Sequence, residues 1–103
     1  MESPSEQPER LVQFSPRAHV QLEDLIEQLR ANWSAAVVTN FLSLLARRLH
    51  QVSLMPYSCP PSGRFSDQRQ CLIGSRTLLH YQVTEERIEI TAIHDTRADA
   101  LPR

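Results

Sequence analysis

Apolar positions recur at two different periods along this chain, and the change of period divides it in two. From residue 16 to residue 54 the spacing is helical. Ala18, Leu22, Leu25, Ile26 and Leu29 fall on one face, while Glu23, Asp24, Glu27 and Arg30 fall mostly elsewhere. Ser15 followed by Pro16 marks the start, because the hydroxyl accepts an orphan backbone N–H and proline has none to lose. The first helix is predicted over residues 16–31, with Asn32-Trp33-Ser34 as the hinge and Ser34 as a second cap. In the next run Val38, Phe41, Leu42, Leu45, Leu49 and Val52 share a face until Met55-Pro56 ends it.

Before and after the helices the period is two. Residues 11–14 suit a first strand, and residues 69–73, 77–83 and 87–93 read as three more. Leu79, Tyr81 and Val83 alternate with Leu78, His80 and Gln82; Ile88, Ile90 and Ala92 alternate with Glu89, Thr91 and Ile93, as in a sheet covered on one face. Residues 84–87 form the turn between the last two strands, and the proline- and serine-rich residues 56–68 form a loop. The expected fold is α+β in the order β-α-α-β-β-β, a helical hairpin packed on a small, mainly antiparallel sheet. It spans residues 10–99, between a disordered N-terminal tail of residues 1–9 and a short tail of residues 100–103.

Composition narrows the chemistry. At 103 residues the chain holds one core, and no window approaches a membrane span. The acidic opening lacks an apolar leader core, so a cytoplasmic protein is expected. Two cysteines, Cys59 and Cys71, make no framework and are expected to be free thiols. The four histidines and two cysteines lack zinc-site spacing, so neither metal nor cofactor is expected. All eleven basic residues are arginine, which excludes a lysine base, and the net charge of −1 argues against sequence-independent binding of a large polyanion.

The element order, the turn Phe14-Ser15-Pro16 followed by Ala18, the stretch from Gly74 through Leu78-Leu79-His80-Tyr81-Gln82-Val83, and the strand end Ile93-His94-Asp95-Thr96-Arg97 together resemble the RelE/ParE superfamily of bacterial toxins. The resemblance covers about residues 10–99. It implies the toxin component of a type II toxin–antitoxin system, held by a cognate antitoxin in a hetero-oligomer. Two mechanisms compete within the superfamily. ParE-like members poison DNA gyrase by binding; RelE-like members cut messenger RNA on the ribosome, which requires a base at the ribose 2′-hydroxyl, an acid at the leaving oxygen and cations at the phosphate. A third reading is a binding module that has the toxin fold without toxicity.

Candidates for the nuclease constellation are Arg69, Arg76, His80, Tyr81 and His94. Each has a plainer reading. His80 suits a hydrogen-bonded structural histidine, and Tyr81 a core aromatic with its hydroxyl at the rim. His94 and Arg97, placed just past the last strand, suit a solvated cluster with Asp95 or Asp99. Arg76 suits an exposed turn. The lysines that serve RelE-like nucleases have no counterpart here, which favours the ParE-like reading. In that reading Arg76, His94 and Arg97 meet a partner, while Phe41 and Leu45 contribute to a groove for an antitoxin segment.

Overall fold

The computed structural model describes residues 10–63, 65 and 67–96. Its elements are β1 (Leu11–Phe14), α1 (Pro16–Asn32), α2 (Ala35–Leu54), β2 (Arg69–Ile73), β3 (Thr77–Val83) and β4 (Arg87–Asp95). Both helix starts follow the capping chemistry read from the sequence. Ser15 Oγ accepts from the Ala18 N–H at 3.1 Å, and Ser34 Oγ accepts from the Val37 N–H at 3.3 Å. The expected tails, with Arg97 and Asp99, lie outside the described residues.

The sheet order is β1-β4-β3-β2. β3 pairs antiparallel with both β2 and β4, and β1 runs parallel to β4 at one edge, with Val12 opposite Ile88 and Phe14 opposite Ile90. The parallel pair is possible because the helical hairpin and the two later strands lie between β1 and β4 in the chain, ample for a crossover. Ile73 lies opposite Thr77, so β2 and β3 are joined by the three residues Gly74, Ser75 and Arg76. Gly74 holds φ at +64°, the left-handed conformation that such a turn requires.

Leu25 of α1 and Phe41, Leu45 and Val52 of α2 pack with Cys71, Ile73, Leu79, Tyr81, Ile88, Ile90 and Ile93 to make the core. Three details depart from simple periodicity. First, β4 carries a bulge. His80 pairs with Ala92 and Tyr81 with Ile90, which leaves Thr91 as the extra residue. One inserted residue inverts the phase of a strand, so Ile93 joins Ile88 and Ile90 in the core and Ala92 turns to the other face. The displaced groups find partners: the Ile93 N–H donates to Gln21 Oε1 at 3.0 Å, and the Thr91 hydroxyl donates to Gln68 Oε1 at 2.7 Å. Second, β4 runs to Asp95, so His94 lies within the strand and not past its end. Third, Leu42, assigned by spacing to the core face of α2, is 38% exposed; it lies at the margin of an apolar stripe whose centre is Phe41, Leu45 and Val52.

Cys59 and Cys71 are joined in a disulfide with their Cα atoms 5.5 Å apart, which corrects the free-thiol expectation. The bond ties the loop after α2 to edge strand β2. Residues 60–62 then run along β2, where the Gln70 N–H donates to the Pro60 carbonyl at 3.0 Å and the Ser62 N–H to the Gln68 carbonyl at 2.8 Å. The sheet is therefore covered beyond its helical face, since Phe65 of the same loop reaches His80 on the opposite face.

Candidate functional site

The five residues singled out for nuclease chemistry do not form one exposed cluster. His80 and His94 do meet. Leu78 lies opposite His94 across the β3–β4 ladder, which places His80 and His94 as diagonal neighbours on the face away from the helices. Their Nε2 atoms are 3.2 Å apart, whereas the ring centroids are 5.2 Å apart with planes 12° from parallel. The nitrogens are much closer than the centroids, so the rings turn their Nε2 edges toward each other and are not stacked face over face. Such a contact is an N–H···N bond in which one imidazole donates and the other accepts. Phe65 closes edge-on over His80, with centroids 5.8 Å apart and planes at 83°, and His80 is only 2% exposed.

Tyr81 lies on the opposite, helix-packed face and is 0% exposed. Its hydroxyl donates to the Pro56 carbonyl at 2.7 Å. Burial pushes its pKa above the ordinary tyrosine value, against smaller lowering effects from a backbone hydrogen bond at Cys59 and from the charges of Arg69 and Arg48. The phenol stays protonated at neutral pH and has its proton committed to a carbonyl. Arg69 is likewise engaged: Nη1 donates to the Cys59 carbonyl at 2.7 Å, and the guanidinium carbon lies 4.8 Å from the centre of the Tyr57 ring.

Arg76 behaves differently. It is exposed in the β2–β3 turn, and its backbone carbonyl accepts from the Thr96 N–H at 2.6 Å, which fastens the turn to the end of β4. Its side chain borders a groove of about 330 Å³ between the hinge end of the hairpin and the β2–β3 turn. Leu25, Leu29 and Phe41 line this groove together with Trp33, Val37 and Asp95. Phe41 thus takes part in a groove as expected. Leu45 does not; it lies in the core, and Leu44 borders the groove in its place.

Trp33, Val37 and Asp95 were missed as groove residues. The signal available was Trp33 itself, a large aromatic in an otherwise polar hinge, and it is 54% exposed. Asp95 carried no signal, because its position depends on β4 running past Ile93. Among the described residues no three histidine, cysteine, aspartate or glutamate side chains are gathered to hold a metal ion, and no helix is long and apolar enough to cross a membrane.

The chain's arrangement has known counterparts. The family described as the ParE toxin of the type II toxin–antitoxin system, parDE, matches residues 12–100. No curated protein matches by sequence. Among solved structures, a chain of the chromosomal ParDE toxin–antitoxin system of P. aeruginosa superposes with a TM-score of 0.70 at 8% identity, covering 84% of this chain and 95% of that one. The conserved hypothetical protein HP0894 of Helicobacter pylori gives 0.58 at 15% identity, with 85% and 96% covered. A chain of the E. coli DinJ-YafQ toxin–antitoxin complex gives 0.57 at 17% identity, with 88% and 97% covered. At such identities the superpositions speak for the fold.

Proposed function

This chain belongs to the ParE toxin family and is the toxin of a type II toxin–antitoxin system, and from that premise we propose that it acts as a ParE-like inhibitor of DNA gyrase, by binding and not by cutting RNA. The observation that carries this reading is the state of the nuclease candidates. A general base has to reach the proton it removes, yet His80 is buried beneath Phe65 with its Nε2 edge turned to His94. Tyr81 donates its proton to Pro56 within the core, and Arg69 is spent on Cys59 and Tyr57. Only Arg76 is presented openly, and a lone arginine serves recognition better than proton transfer.

The cognate antitoxin is the partner of the groove that Arg76 borders. An apolar segment laid across Trp33, Val37 and Phe41 covers the most exposed aromatic of the hairpin, and an acidic residue at its end meets Arg76. His94, near the end of β4, extends the surface offered to a partner in this reading, and Arg97 is expected to act with it.

The test is expression of the chain without its antitoxin, followed by pulse labelling. DNA synthesis stops and the DNA-damage response rises while methionine incorporation continues; purified protein inhibits supercoiling by gyrase. Collapse of methionine incorporation within minutes, with DNA synthesis maintained, would replace this reading with the RelE-like one, in which ribosome and mRNA are the targets. The approach of two histidines to 3.2 Å is what favours that second reading.

A further inference from the structure

Residues 56–62 form a strap between α2 and the sheet, attached outside the main ladder. Its hydrogen bonds to the sheet include the Tyr81 hydroxyl to the Pro56 carbonyl at 2.7 Å, Arg69 Nη1 to the Cys59 carbonyl at 2.7 Å, the Gln70 N–H to the Pro60 carbonyl at 3.0 Å, and the Ser62 N–H to the Gln68 carbonyl at 2.8 Å. Its covalent attachment is the Cys59–Cys71 disulfide. The two halves of that bond differ in their surroundings. Cys71 sits within β2, paired with Leu79, whereas Cys59 belongs to the strap alone. The β3–β4 ladder and the helix caps are formed entirely without the strap.

We propose that the Cys59–Cys71 pair is a redox clasp that closes the strap over the edge of β2 when oxidised and releases it when reduced. The Cα separation of 5.5 Å is one that two cysteines bridge without backbone movement, so the clasp opens and closes within one fold. Closure needs an oxidant, and a small-molecule disulfide suffices. One cysteine thiolate attacks a sulfur of that disulfide and expels the first small thiolate. The second cysteine thiolate then attacks the mixed disulfide and expels the other. Two electrons pass from the cysteines to the small disulfide, and the two protons leave on the released thiols. Both protein sulfurs are buried, so exchange proceeds through a local opening of the strap, the kind of subglobal event open to a segment that lies outside the main ladder.

Opening has two consequences on the page. The backbone edge of β2, now covered by Pro60, Pro61 and Ser62, becomes available to an extended partner strand. Arg69 loses its acceptor at Cys59 and its ring at Tyr57, and so becomes a free cation beside that edge.

Hydrogen exchange on the full chain tests the clasp in three states: oxidised, reduced with dithiothreitol, and reoxidised with glutathione disulfide. Reduction is expected to raise exchange of the Ser62 and Gln70 amides at least tenfold, with the amides of β3 and β4 changed less than twofold and protection recovered on reoxidation. Cys59→Ser is expected to show the reduced pattern under all three conditions. Equal loss of protection through the whole domain overturns the proposal, since the bond is then a staple of the entire fold. Unchanged exchange at Ser62 and Gln70 also overturns it.

Discussion

Truncating Leu45 to alanine probes the joint on which the whole arrangement depends, the contact between α2 and the sheet. Leu45 is 5% exposed and belongs to the cluster that includes Phe41, Leu79, Tyr81 and Ile90. The substitution removes three carbon groups, which at ~0.8 kcal/mol for each buried methylene amounts to about 2.4 kcal/mol of lost transfer energy. A cavity that fails to collapse adds roughly 24 cal/mol per Å³, so the expected total lies at about 2.5 to 4 kcal/mol. For a domain with roughly 5 to 15 kcal/mol of stability this is a large fraction. Urea denaturation monitored by Trp33 fluorescence and by circular dichroism reads it directly, as a lower midpoint at unchanged slope. Leu42→Ala is the control on the same helix. Leu42 is 38% exposed, so its truncation is expected to cost less than about 1 kcal/mol. If the Leu45 variant melts with wild type, or the Leu42 variant falls as far, the assigned face of α2 is wrong.

Replacing His80 and His94 together with glutamine keeps hydrogen-bonding capacity and removes both imidazoles; the variant is expected to remain toxic, and loss of growth arrest with an unchanged fold and unchanged antitoxin affinity would place acid–base chemistry there. Tyr81→Phe keeps the core ring and leaves the Pro56 carbonyl without its donor, for an expected loss of about 0.5 to 1.5 kcal/mol at neutral pH in urea melts. The tyrosine pKa is raised in the folded chain, so its contribution is complete below the unfolded value of 10.0 and fades as pH rises above it; wild type should lose stability there more steeply than Tyr81→Phe, and parallel profiles would contradict the burial argument. Trp33→Ala is expected to weaken antitoxin binding about tenfold or more without lowering the melting temperature, because the ring stands open at the groove and not in the core; unchanged affinity in a titration would remove the groove from the antitoxin interface.

Local chemistry made most of the fold legible. Ser15-Pro16 and Ser34 announce helices because a hydroxyl acceptor at the cap and an absent proline N–H are satisfied within a few residues, whatever the rest of the chain does. Gly74 announces a turn for the same reason. What escaped was set by partners distant in sequence. The bulge at Thr91 is stabilised by Gln68 and by Gln21 of α1, so no alternation within β4 reveals it, and the predicted faces of Ala92 and Ile93 are exchanged. The disulfide escaped because its two cysteines are brought together only when residues 60–62 lie along β2. Periodicity gave Leu42 and Leu45 the same face, yet it does not measure how wide a stripe the sheet covers.

The candidate site was legible to a smaller degree, and for a consistent reason. Residue types that serve catalysis also serve structure, and only their surroundings separate the two uses. His80 illustrates this. Alternation correctly turned it away from Leu79 and Tyr81, but exposure does not follow from facing away from the helices, because the loop after α2 supplies Phe65 as a second cover. Tyr81 and Arg69 received acceptors from that same loop, at Pro56 and Cys59. One irregular segment, invisible to periodicity, therefore occupies three of the five nuclease candidates at once. Arg76 remained open because it lies at the other end of β2, in a turn held by Thr96 and out of reach of that loop. The segment between α2 and β2 thus decides which side chains the sheet presents: its contacts engage His80, Tyr81 and Arg69, and Arg76 is left exposed beside the groove that Trp33 lines.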